Sequence, residues 1–253
     1  MRPLARTLPA ALVLIAVLAA AGCTKATVAA PTEAPPIDAI EAAVEKLSEG
    51  FDYMGAYETD QWADNVDGAE LPGEKKLAIS RSSSDGSVTA TAETIRIGNE
   101  LWLRYEGIPD MPEGWGHLAA SASSFVKETR TMGPSTWLPA LVAQIVEAER
   151  VGTMRYEGVL DFEAVDEART GLPEYQTRSL DDDDEVAFRA VLDVNGNIKS
   201  FRYELEGGPA GTLTVDFIFS GHGAPRDIVP PSGSMTELTF DTVTDWMFGG
   251  LDD

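Results

Sequence analysis

The chain holds a single cysteine, Cys23, so no disulfide can form within it, and only two histidines, His117 and His222, in separate segments. Zinc needs three or four ligands and a catalytic nucleophile needs a base held beside it, so the supply fails both. No G-x-S-x-G elbow and no P-loop occurs. The nearest approach to a dinucleotide fingerprint, Gly221-His222-Gly223, runs on to Pro225 and Arg226 without a third glycine opening a helix, and reads as a strand-ending turn. Basic residues are scarce too: 19 Lys and Arg stand against 42 Asp and Glu, a formal charge of −23. Such a surface repels phosphate backbones and anionic headgroups, which excludes nucleic acid as a partner and electrostatic docking to a membrane. The run Asp181-Asp182-Asp183-Asp184-Glu185 lacks the residue order of a calcium loop and reads as a solvated acidic loop. No metal, cofactor or enzymatic activity is expected; the weakest alternative, a hydrolase built on paired carboxylates, has only their abundance behind it.

Long apolar runs are also missing. The one candidate, Ala10 to Ala21, is shorter than the roughly 20 residues a helix needs to cross a bilayer. Arg2 and Arg6 precede it and the small residues Ala19 to Gly22 follow, the charged, apolar, small-residue order of an export signal. Ala20-Ala21-Gly22-Cys23 resembles a bacterial lipobox, which implies that residues 1–22 are a signal peptide and that Cys23 is acylated. Ordinary cleavage after Ala19-Ala20-Ala21, leaving a free thiol, is the alternative. Acylation places the protein on the extracytoplasmic face of the bacterial cell membrane, each buried methylene contributing about 0.8 kcal/mol of anchoring. Residues 23–36, with Thr, Ala and prolines and no apolar periodicity, read as an extended tether.

Beyond it, about 230 residues after signal removal suit one domain with a sizeable core, and we assign it to residues 37–253. Ile37, Ile40, Val44 and Leu47 recur at helical spacing before Gly50. Asp64 to Gly73 reads as a loop. Strands are expected over 75–82, 88–97 and 101–106, with a turn at Ser84-Asp85-Gly86, a Gly-first two-residue turn at Gly98-Asn99 and a bulge near Glu93-Thr94 where the apolar parity shifts. A second set covers 153–162, 186–194, 198–205 and 212–220, with Asn195-Gly196 as a type I′ hairpin turn. Phe188, Ala190 and Leu192 share one strand face, as do Phe201, Tyr203 and Leu205, and Leu213, Val215, Phe217 and Phe219. Between the sets, Trp137, Leu138, Leu141, Ile145 and Val146 have helical spacing, and 162–168 reads as a second short helix. A sheet with one apolar face must cover it, so the fold class is α+β.

Val191 to Asn197, Leu213 to Phe217 with its continuation Gly223 to Pro231, and the hairpin Ile95 to Leu103 resemble the closing strands and an earlier hairpin of the actinobacterial lipoproteins related to the mycobacterial lipid carriers LppX and LprG. That resemblance implies a LolA-like half-barrel, a strongly curved antiparallel sheet with helices covering its concave face; the acidic extension from about residue 235 runs past the family's usual end. The resemblance also implies a hydrophobic cavity for a lipid or glycolipid and dealings with a membrane transport protein. From alternation, the residues placed to line a cavity are Leu101, Leu103 and Tyr105 on one strand, Phe201 and Tyr203 on another, Phe217 and Phe219 on a third, and Leu141 and Ile145 one helical turn apart on the cover. The alternative is an anchored interaction or structural lipoprotein whose cavity is filled by its own side chains.

The anchor is directly testable. Cys23→Ser is expected to shift the protein from the membrane fraction to the medium or to leave it as precursor, and metabolic labelling with a fatty acid should mark only the wild type. A wild-type chain that takes up no label has no lipid anchor.

Overall fold

A computed structural model describes residues 34–84, 89–107, 113–118, 133–161, 185–206 and 211–239. The expected signal peptide, Cys23, most of the tether, the Ser84-Asp85-Gly86 turn, the 162–168 helix and the run Asp181 to Asp184 lie outside them. Pro36 opens helix α1 (Pro36–Glu45), a position that needs no backbone donor, and a 3₁₀ turn (Lys46–Glu49) carries the chain to Gly50, whose φ of 94° ends it. Ile40, Ala43, Val44 and Leu47 are buried along one face, as their spacing predicts.

Six strands follow: β1 (Phe51–Glu58), β2 (Ala63–Leu71), β3 (Lys76–Ser84), β4 (Thr89–Ile97), β5 (Glu100–Glu106) and β6 (Trp115–Leu118). After helix α2 (Pro134–Val142) come β7 (Ile145–Gly152), β8 (Arg155–Asp161), β9 (Glu185–Leu192), β10 (Ile198–Leu205) and β11 (Leu213–Ser220), then β12 (Met235–Glu237). They form one open, curled sheet of 12 strands in the order β12-β6-β5-β4-β3-β2-β1-β11-β10-β9-β8-β7. The first meander therefore runs outward from β1 to β6, the second begins at the opposite edge and runs back to β11, and the two join where β11 pairs antiparallel with β1. Sheet dominates, with two α-helices among the described residues, in keeping with an α+β class. One strand departs from the antiparallel pattern: β12 pairs parallel with β6, so residues 235–237 belong to the sheet.

The alternation fixes the faces of the second meander as read. Phe188, Ala190, Leu192, Phe201, Tyr203, Leu205, Leu213, Val215, Phe217 and Phe219 are all buried, in one cluster with α1 and α2. Four expectations fail. Asp64 to Leu71 is a strand, because its inward acids find partners: Arg81 meets Asp64, and Ser135 meets Glu70. The Glu93-Thr94 bulge is absent, since β4 stays in register with both β3 and β5. Ile95 instead faces outward beneath the segment around Ile228, so an apolar residue there breaks no rule. Asn195-Gly196 is not a two-residue turn; Leu192 pairs with Ile198 across a longer loop in which Gly196 is the residue of positive φ. The Asp193 carboxylate accepts hydrogen bonds from the Asn195 and Asn197 amides, and Lys46 Nζ donates to the Asn195 and Gly196 carbonyls at 2.7 and 3.2 Å. Ile145 and Val146 are strand residues: α2 stops at Val142, Gln144 accepts from the Asp161 amide, and Val146 is 56% exposed.

Curl enters elsewhere. Register shifts interrupt β7–β8 between Ile145 and Glu147 and again between Arg150 and Gly152, and β9–β10 between Ile198 and Ser200. At Gly158 the edge strand presses so close that a Cβ would meet the Glu147 carbonyl oxygen at 2.0 Å. Gly158→Ala is therefore expected to destabilise the fold by about 1–3 kcal/mol, read as a lower urea midpoint at unchanged m-value. An unshifted midpoint would mean that this edge yields without cost.

Candidate functional site

The inward face of β1 and β8–β11 carries a continuous set of rings. Phe217 lies at its centre, with ring centroids 5.0 Å from Trp137, 5.5 Å from Tyr57, 6.1 Å from Tyr53 and 6.2 Å from Phe219. Phe201 extends the set, stacked on Phe188 at 5.4 Å and meeting Tyr203 at 6.3 Å. Two strand glycines leave the rings room to lie against the sheet: a Cβ on Gly55 would meet Phe217 at 2.4 Å, and one on Gly68 would meet Tyr53 at 2.5 Å. Six of the residues placed by sequence therefore come together, namely Leu141, Ile145, Phe201, Tyr203, Phe217 and Phe219.

The other three do not join them. Leu101 and Leu103 are buried, on the same sheet face by register, but on β5, four strands removed from β1. There they oppose Leu118 and Gly116 of β6, and Tyr105 farther along β5 is half-buried. Between these two apolar regions the inward face turns polar. Following the register from β2 to β4 it presents Asp64 and Glu70, then Arg81, then Thr94 and Arg96. Arg81 pairs with Asp64 and stands 5.5 Å over the Tyr57 ring, a cation–π contact inside the fold.

Glu70 is the most constrained of these groups. It is 3% exposed, and it meets α2 at its N-terminus, where the Ser135 hydroxyl and, at 3.4 Å, the Ser135 amide donate to its carboxylate. No side chain of α2 itself caps that end. Burial raises the Glu70 carboxyl to about 7, against the opposing pull of Ser135 and Arg96. Beside it, burial first and Glu70 next raise the Tyr53 phenol well above its ordinary value, and burial likewise raises Tyr57 and Tyr203. Among the described residues the buried Tyr53 hydroxyl and Trp137 indole nitrogen have no hydrogen-bond partner. Both rings pack on Phe217, and the hydroxyl end of Tyr53 lies over Gly68 of β2.

In the sequence Trp137 stands out by its helical spacing and, with the other tryptophans, as a core residue able to line a cavity, whereas Glu70 was passed over. The available signal was parity: Val66 and Glu70 share a face, which puts an acid where the apolar residue of the same strand points inward. Among the described residues no group of three or more His, Cys, Asp or Glu side chains converges as a metal site, and no helix is long and apolar enough to cross a membrane. No protein-family model and no curated protein matches the chain.

Glu70 ties stability to pH. The folded chain keeps the Glu70 proton up to about pH 7 whereas an unperturbed carboxyl releases it near 4.5, so between those values the native state binds more protons than the unfolded one. This contribution is fully present below 4.5 and is lost as pH rises through 7, on the order of 3 kcal/mol in all. Glu70→Gln removes the titration, so its unfolding free energy relative to wild type is expected to rise with pH across that window. Parallel pH profiles for the two proteins would show that Glu70 is ionised in the fold.

Proposed function

We propose that this protein is a membrane-anchored, non-enzymatic binder or carrier of a hydrophobic ligand, a lipid or glycolipid, outside the cytoplasm. In this reading Cys23 holds it at the membrane and the helices cover the concave face of a half-barrel, with the ligand's apolar part between them. The observation that carries the proposal is the pair of buried donors without partners, Tyr53 Oη and Trp137 Nε1, set in an aromatic wall. Each such group costs about 1–3 kcal/mol when left unmade, and a ligand that brings acceptor oxygens on an apolar body offsets that cost. Leu101 and Leu103 form a second apolar area on the same face, separated from the ring cluster by the polar residues of β2 to β4.

A second reading has its own support. Six of the nine predicted lining residues pack with one another and with Trp137, the arrangement expected of an anchored interaction module whose interior is complete without ligand.

The two readings differ in one experiment. Organic extracts of the chain from Thr24 onward, purified from its native host, should yield lipid by mass spectrometry, and a fluorescent fatty-acid probe should bind. Leu103→Trp or Phe217→Trp is expected to block the probe and be tolerated by the fold where the interior is open, and to overpack it at a cost of about 1–3 kcal/mol where it is filled. Recovery of no lipid together with no probe binding transfers the assignment to the interaction module.

A further inference from the structure

On the outer face of the sheet, the segment after β11 runs back across the first meander and ends beside β6. Its near end is pinned by Arg226. This side chain is nearly buried and donates from Nε to Asp52 at 2.5 Å, from Nη1 to the Ala224 carbonyl at 2.8 Å and from Nη2 to the Gly221 carbonyl at 2.5 Å. Next to it the Gly223 amide donates to the Gly50 carbonyl at 2.9 Å. Ile228 is buried against the sheet, and between residues 226–232 and the sheet lies a groove of about 810 Å³ lined on the sheet side by Ala69, Ala78, Ile95 and Trp115, with Arg104 standing 5.1 Å over the Trp115 ring.

The far end is held differently. Strand β12 has three residues, all exposed, in parallel register with β6; Trp115 donates to the Ser234 carbonyl at 3.1 Å and Leu238 to the His117 carbonyl at 2.7 Å. The side-chain clip is His117. Its ring stacks on Trp102 with centroids 5.1 Å apart, Nδ1 lies 2.8 Å from Glu237 Oε1 of β12, and Nε2 lies 2.7 Å from Glu100 Oε2 of β5. Both carboxylates accept, so both ring nitrogens must donate, and only the imidazolium has two donors. A neutral ring keeps one hydrogen bond and turns a lone pair toward the other carboxylate. Glu100 and Glu237 are the charged groups that meet the ring from the two strands flanking β6.

We propose that residues 226–239 form a strap over the outer face whose far end is clipped by protonated His117 and released when that ring loses its proton. The two ends are unequal by chemistry: the guanidinium of Arg226 keeps its charge throughout the accessible pH range, whereas an imidazole changes charge within it. Burial alone lowers the His117 pKa, but the hydrogen bonds and charges of Glu237 and Glu100 outweigh it and raise the net value, so the clipped state persists above the pH at which an ordinary histidine is neutral. The stabilisation is complete below the unfolded histidine's pKa and is lost as pH rises through the raised one. Release uncovers the Ala69, Ala78, Ile95 and Trp115 lining while Arg226 keeps the strap tethered.

The test is hydrogen exchange on the full chain, with His117 protonation followed by NMR; His222 gives the only other imidazole signal. After correction for intrinsic base catalysis, protection of the Leu238 and Trp115 amides should fall severalfold between about pH 5.5 and about pH 8.5, in step with His117 deprotonation, while the amides of β10 and β11 keep theirs. Glu237→Gln, whose side chain is 75% exposed and leaves the core untouched, should lower the His117 midpoint and flatten that pH dependence. Equal strap protection at both pH values, or a His117 midpoint unmoved by Glu237→Gln, overturns the proposal.

Discussion

The pairing of β1 with β11 is the constraint on which the architecture depends. Seven backbone partners, from Asp52↔Ser220 to Glu58↔Thr214, join the first strand of one meander to the last of the other, and the two share no other strand pairing in the sheet. It also brings Tyr53 opposite Phe219 and Gly55 opposite Phe217, so the seam is where the rings of the two halves meet. A contact between residues so distant in sequence carries a large loop-closure cost and forms late and slowly compared with the local hairpins on either side. Helix α1 lies against α2 and the second meander at β7, β9 and β10. Its buried residues share the cluster with strands of both meanders, and Lys46 at its end reaches the β9–β10 loop.

The two halves bury different chemistry on one continuous face. From β8 to β1 the face is aliphatic and aromatic, with no charge. From β2 to β4 it holds Asp64, Glu70, Arg81 and Arg96, and an acid there is tolerated only when a cation or a helix N-terminus stands against it. Glu70 shows how tightly the two are joined: it is a residue of the polar half, yet its hydrogen-bond donors belong to α2, whose Trp137 packs on Phe217 of the apolar half. Protonation of one carboxyl is thereby felt by the helix that closes the ring cluster.

What the sequence disclosed followed the strength of its periodicity. In β9, in β11 and in β10 from Phe201 on, apolar residues recur at every second position, so strands, faces and burial were all legible. The register of β2 was hidden because its inward positions include Asp64 and Glu70, whose cost is met by Arg81 and Ser135, residues 17 and 65 positions away. Ile145 fits helical spacing from Leu141 as well as strand spacing, and nothing local says that the Asp161 amide bonds Gln144 and turns the chain into β7. Strand β12, with three exposed residues, has no pattern to read; its partner β6 alone defines it. For the site, parity found the apolar members, but which rings share a neighbour, and which donors are left over, depends on the β1–β11 seam.

An open sheet has two unpaired borders, and both here are poor templates for another chain. At one, β12 offers only three residues. At the other, β7 twists through two register shifts and presents Glu147, Glu149 and Arg150 to solvent, so an incoming strand would have to desolvate charge and match an irregular ladder. The bulges along β7 therefore have a second effect at the level of many molecules: they keep a large β-rich surface from propagating into a fibre at high local concentration.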